Sequence, residues 1–182
     1  MKKLSSKALL ASIVFSVLLL FLASNAFAAN GWEYNYQKWY GSSPRFDAKI
    51  RSGTDSDVYD AFATAMNDWY EADSRIRITG SSSSLNELYS VYDQYETDRG
   101  RMNPYPTNGS TIQRFTIWIN TYYSAGTNSY RSTANHEFGH VLGLGHVDNY
   151  NVLMNTGRNH ESIYLPTSSD IIGVLTIWGY MD

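Results

Sequence analysis

The run His136-Glu137-Phe138-Gly139-His140-Val141-Leu142-Gly143-Leu144-Gly145-His146, with Met154 eight residues beyond its last histidine, decides how this chain is read. On a helix, residues four apart are separated by about 400° of rotation, so His136 and His140 project from one face about 6 Å apart along the axis. Two imidazoles so placed reach one metal ion. Glu137 follows His136 directly, and its carboxylate points beside that ion, where it can touch a bound water without displacing it. Had the helix continued, His146 would lie more than two turns away and roughly 80° off the His136 direction, out of reach. Gly143 offers the left-handed backbone that ends a helix and turns the chain back, so that His146 approaches from below.

Three neutral histidines leave one tetrahedral position open, the arrangement of a catalytic zinc rather than a closed structural one. Bound zinc lowers the pKa of water from about 15.7 to about 7. Glu137 is then expected to take the water proton as attack begins and deliver it to a leaving nitrogen, the zinc stabilising the oxyanion. A bare His-Glu-x-x-His also arises in ordinary helices; the addition of Gly143, His146 and Met154 makes coincidence a poor explanation. Since histidine must be neutral to bind metal and its reference pKa is near 6.5, activity is expected to fall below about pH 6.

Upstream of the motif, Arg45 to Arg51 alternates, with Phe46, Ala48 and Ile50 on one side, and predicts a half-buried strand. Asp55 to Tyr70 switches to a helical period, with Val58, Phe62, Ala65 and Trp69 on one stripe. Arg75 to Thr79 and Leu88 to Tyr92 read as two short strands, and Gly100 to Ser110, with Pro104, Pro106 and Asn108-Gly109, as a turn-rich connection. Ile112 to Tyr122 is the strongest strand pattern, with Phe115, Ile117 and Ile119 inward and Arg114, Thr116, Trp118 and Asn120 outward. A helix carrying the histidines is predicted from near Ser132. Ile171, Val174, Leu175 and Trp178 mark a last helix, started by Thr167-Ser168-Ser169-Asp170 and followed by Gly179. The expected class is α+β, with the sheet preceding the metal-binding helix.

The first 28 residues have the layout of a secretory signal: Lys2, Lys3 and Lys7, then an apolar run from Ala8 to Ala23, then Ala26-Phe27-Ala28. Its apolar core of about 16 residues falls short of the roughly 20 that cross a bilayer. Cleavage after Ala28 would leave 154 of the 182 residues, 29–182, as one catalytic domain. That domain would carry 11 of the 14 basic residues against 17 acidic ones, a net charge of −6. Such a balance argues against nucleic acid or an anionic membrane surface as partner. The chain has no cysteine, which suits an exported bacterial protein better than a small disulfide-stapled animal domain. The expectation is a secreted, extracellular, monomeric protein with no stable membrane association after cleavage.

At the quoted residues the chain resembles the metzincin metallopeptidases, whose signature is His-Glu-x-x-His-x-x-Gly-x-x-His followed by a methionine-containing turn. Within them it most resembles the matrixins, through His136 to His146, Val152-Leu153-Met154, Asp170-Ile171-Ile172-Gly173 and Trp178-Gly179. The resemblance implies a twisted, mostly parallel sheet of about five strands with three helices, a zinc-binding active-site helix, and Met154 as an apolar floor under the imidazoles. It also implies an extended protein or peptide substrate added to the edge strand, here taken as Ile112 to Asn120, with Arg114 and Trp118 as candidate contacts. The loop from Asn155 to Pro166 would wall the pocket for the residue after the scissile bond, with Tyr164 a candidate there.

Departures from the matrixin pattern are visible too. Val147 follows the third histidine where serine is usual, and Thr156, two after Met154, replaces the tyrosine ligand of other metzincins. Only His160 lies outside the motif, as a loop residue, so a second structural zinc is not expected. No dense acidic run forms a calcium loop, leaving calcium unsupported. The cysteine latch of matrixin propeptides has no residue to operate with. The resulting expectation is a zinc endopeptidase acting on extracellular proteins; the alternative is a non-catalytic zinc-containing binding module on the same fold.

Overall fold

The computed structural model describes residues 32–105, 109, 111–123, 126–148 and 151–181; the expected signal segment, 1–28, lies outside them. The alternating run forms strand β3 (Arg45–Ile50), preceded by the two-residue strands β1 (Glu33–Tyr34) and β2 (Lys38–Trp39). The helical stripe forms α1 (Ser56–Ala72), whose start is fixed by Asp55: its Oδ1 accepts the Asp57 and Val58 N–H groups at 3.0 and 3.3 Å. Val58, Phe62, Ala65 and Trp69 are all fully buried, as the period requires.

β4 (Arg77–Gly80), β5 (Glu87–Val91), β6 (Gly100–Tyr105), β7 (Thr111–Ile112) and β8 (Arg114–Asn120) follow. The main sheet has five strands in the order β4-β3-β5-β8-β6, with β4, β3, β5 and β8 parallel and β6 antiparallel to β8. After a 3-10 turn (Thr121–Tyr123) come α2 (Gly126–Leu142), β9 (Leu144–Gly145), which pairs with β1, and α3 (Ser168–Ile177). Three helices on a mostly parallel five-stranded sheet match the expected α+β fold.

Two expectations are corrected. Gly100 to Tyr105, predicted as part of a turn-rich connection, is the antiparallel edge strand β6. Asn120 N–H donates to Arg99 O at 2.8 Å, so alternation points the backbone of Arg101 and Asn103 at β8 and that of Gly100, Met102 and Pro104 away from it. Pro104, which has no N–H, therefore stands where none is required. The second correction follows from the first. β8 lies between β5 and β6 and is no edge; of the residues expected to face outward, Trp118 is covered by the Arg101 guanidinium, Asn120 is bonded to the Asp93 backbone, and Thr116 is buried with them.

Helix α2 begins six residues before Ser132 because polar contacts, absent from any apolar period, hold its first turns. Arg131 pairs with Asp68 of α1, Nη2 to Oδ1, at 2.5 Å. Further along, Phe138 sits between Phe46 of β3 and Phe62 of α1, each ring centroid 6.2 Å away, and seats the helix on the core.

Candidate active site

Gly143 ends α2 as its sequence position suggests. Its φ is +107°, its N–H donates to His140 O at 3.1 Å, and a β-carbon there would meet Lys38 Cβ at 3.1 Å and Ile177 Cγ2 at 3.2 Å. The last turn of the helix is closed by Trp178, the residue that caps the end of α3, whose indole N–H donates to Leu142 O at 2.9 Å. The turned chain then brings His146 beneath the helix. His146 Nε2 lies 3.1 Å from His136 Nε2 and 3.1 Å from His140 Nε2.

The far nitrogens of the two helical rings are held in place. His136 Nδ1 donates to Leu153 O at 2.8 Å and His140 Nδ1 to Leu144 O at 2.9 Å. Those bonds put the ring proton on Nδ1 and aim the Nε2 lone pairs at one point. Converging lone pairs with no donor between them repel unless a cation lies at their focus. Ligands about 2.05 Å from a tetrahedral ion stand about 3.3 Å apart, close to the observed spacing, so the three rings fit zinc. His136 is buried, His140 partly so and His146 exposed, which leaves the site open on one side. Burial drives the His136 imidazole well below its ordinary pKa, aided by the Arg158 charge, and lowers His140 to about 4. Both therefore stay neutral, as metal ligands must be.

Glu137 is buried, and one of its oxygens, Oε2, accepts the Met102 N–H of β6 at 2.8 Å. Burial raises this carboxyl to about 7, against the pull of the Met102 hydrogen bond and the Arg158 charge. A nearby dication favours the ionised form. Met154 is wholly buried against Gly139 of α2, and its N–H donates to Asp170 Oδ1 at 3.3 Å. Asp170 also accepts from Leu153 N–H at 3.1 Å, Thr167 N–H at 2.8 Å and the Thr167 hydroxyl at 2.6 Å, tying the Met154 turn to the start of α3.

A cleft of about 560 Å³ runs over these groups, between β6 and the segment after Met154. His136, Glu137, His140, His146, Thr156 and His160 line it with Gly100, Met102 and Pro104. The other substrate candidates lie elsewhere. Trp118 is buried on β8 beneath the Arg101 guanidinium, 5.6 Å from its ring centre, and Arg114 donates to Leu85 O at 2.9 Å. Tyr164 packs under Arg131 at 5.0 Å, and its carbonyl accepts from Asn135. None of the three borders the cleft. Sequence reasoning missed Arg158, which does: it is buried, and nothing in its local pattern marks it. His160, read as a loop residue, is half-buried in the cleft wall.

The matrixin family profile matches residues 35–179. No curated protein matches at a significant level. Among solved structures, a chain of the GM1 bound form of the ECX AB5 holotoxin is similar at 18% identity and a TM-score of 0.55, covering 82% of this chain and 85% of that one. High choriolytic enzyme 1, a hatching enzyme zinc-protease from Oryzias latipes (medaka fish), is similar at 13% identity and a TM-score of 0.51, covering 84% and 96%. At these identities the two share the fold. The profile match, together with the converging histidines and the buried Glu137 beside them, assigns the chain to the matrixin family, as a zinc metalloendopeptidase whose His136, His140 and His146 are placed to hold the zinc.

Proposed function

We propose that the protein is exported and hydrolyses peptide bonds of extracellular proteins, with Glu137 as general base. The observation that carries the mechanism is the position of Glu137, buried beside the three converging imidazoles and held by Met102 N–H. Zinc, when bound, supplies the Lewis acidity that makes water reactive near neutral pH and stabilises negative charge on the attacked carbonyl oxygen. Glu137 takes a proton from the attacking water, keeps it on a carboxyl whose burial favours protonation, and releases it to the leaving nitrogen. Its bond to Met102 fixes the carboxylate at the edge strand.

The substrate backbone lies along β6, not β8. With Met102 N–H held by Glu137 and Pro104 without one, the outward carbonyls of Gly100, Met102 and Pro104 are the edge groups left to accept from an extended peptide. Secretion is supported by the basic and apolar segments ahead of Ala28. The zinc-loaded protein should cleave an unstructured protein, stop when zinc is chelated, and resume when zinc is restored. Cleavage unaffected by chelation would refute the reading, and exported protein should begin at Ala29.

A further inference from the structure

Besides Glu137 and the zinc-site histidines, the cleft is lined by Thr133, Arg99, Arg158 and His160. Arg158 is only 5% exposed. Its guanidinium donates from Nε to Ser132 Oγ at 2.9 Å, from Nη2 to Ser132 O at 3.0 Å and from Nη1 to Asn155 O at 2.9 Å. All three acceptors are neutral, and a guanidinium has five N–H donors. Among the described residues no carboxylate comes within ion-pair distance of it. The acidic groups whose charge it feels are Glu137 and Asp170. The first is engaged in the chemistry, and the second is occupied by the Met154 turn. Burial lowers this guanidinium to about 10, a sign that its charge is poorly compensated.

Tying the loop after Met154 to α2 needs only a neutral donor, at far lower desolvation cost than a cation. A second cation faces the same space. Arg99 donates from Nη1 to Tyr123 O at 3.0 Å and likewise has no ion-pair partner among the described residues. The charges of Arg99 and Arg158 both act on His160. The Asp98 carboxylate, also in the cleft, is taken by Arg101 at 2.5 Å. A chain that is acidic overall has thus placed two arginines without ion-pair partners among the described residues in the lining of its cleft, both acting on His160.

Orientation follows from the chemistry. Glu137 delivers its proton to the leaving nitrogen, so the residue carrying that nitrogen lies on the Glu137 side. Ser132, which accepts from the Arg158 guanidinium, stands on α2 in the turn before the motif, and the charges of Arg158 and Glu137 act on one another, which puts the guanidinium within reach of the Glu137 side of the cleft. We propose that Arg158, assisted by Arg99, reads a carboxylate side chain on the residue that follows the scissile bond, so that the enzyme cuts before aspartate or glutamate. This rests on the peptidase reading above. The ligand supplies the acceptor oxygens and the negative charge that the buried guanidinium lacks, in the paired geometry arginine favours.

The test uses zinc-loaded full-length domain and a set of blocked peptides, extended on both sides, that differ only in Glu, Gln or Leu after the cleaved bond. Glu is expected to exceed Gln in kcat/KM by about tenfold or more, and sites cut in an unstructured protein, mapped by mass spectrometry, should precede acidic residues. Arg158→Met should remove the preference, and Arg99→Gln should reduce it severalfold. If Arg158→Met does not fold, the Glu to Gln ratio of the parent and the Arg99→Gln ratio decide. A parent that cleaves Glu no better than Gln, while cutting proteins freely, overturns the inference and leaves the peptidase reading intact. No cleavage of any substrate would instead refute that reading.

Discussion

A β-carbon placed on Gly139 would lie 2.5 Å from Met154 Sδ and 3.2 Å from its methyl carbon. Met154 is thus seated directly against the bare backbone of the helix that carries His136 and His140. Gly139→Ala must push Met154 away or bend α2, and overpacking of this kind costs about 1–3 kcal/mol. Denaturation of the zinc-loaded variant should show that loss together with weaker zinc binding. An unchanged midpoint and zinc affinity would mean that the contact constrains nothing.

Asp170 joins the Met154 turn to α3 through four hydrogen bonds. Asp170→Ala leaves the buried Leu153 and Met154 N–H groups without their acceptor. A loss of about 3 kcal/mol is expected, since each orphaned buried donor costs about 1–3 kcal/mol. Because Leu153 O orients His136, zinc affinity should fall as well, which titration with a competing chelator would measure.

Burial holds His140 at about 4 and His136 well below its ordinary value. In metal-free protein the unfolded chain takes up these protons near pH 6.5 while the folded chain does not. Their contribution is therefore present above pH 6.5 and is lost as pH falls toward 4. Glu137, raised to about 7, acts in the opposite sense, contributing below its unfolded value and losing that contribution as pH rises through 7. Metal-free Glu137→Gln isolates the histidines, and its stability should drop by about 2 kcal/mol or more between pH 7 and pH 4.5. A flat profile over that range would contradict the buried, neutral rings. The same burial moves acid displacement of zinc below the pH of about 6 expected from free imidazole.

Trp118 is 8% exposed and lies on an interior strand. Trp118→Ala should cost about 3–5 kcal/mol in stability, with KM changed little in whatever remains folded. A selective rise in KM without loss of stability would restore it as a substrate contact.

The zinc site was legible because its geometry is local: four-residue spacing on one helix, then one glycine that turns the chain. The core faces of α1 and β3 were legible for the same reason, since Val58, Phe62 and Phe46 repeat with the period of their element. What failed to show was long-range. Gly100 to Tyr105 has no apolar alternation, because none of its side chains is fully buried on either face, and Pro104 made it look like a turn. Trp118 alternates correctly along β8, yet its outward side is covered by Arg101 from a strand the local pattern had not identified. Arg158 depends on Ser132, 26 positions earlier, and no nearby residue announces that pairing.

If Glu137 performs the proton transfers while three histidines hold the zinc, removing its carboxylate must leave the metal and take the rate. Bound zinc and the rate of cleavage of an unstructured protein are measured on one preparation of Glu137→Ala. One zinc per chain is expected, as in the parent, with cleavage slowed by about 10²–10⁴-fold, the usual contribution of a positioned acid–base group. A zinc-loaded variant that cleaves as fast as the parent would contradict that role for Glu137.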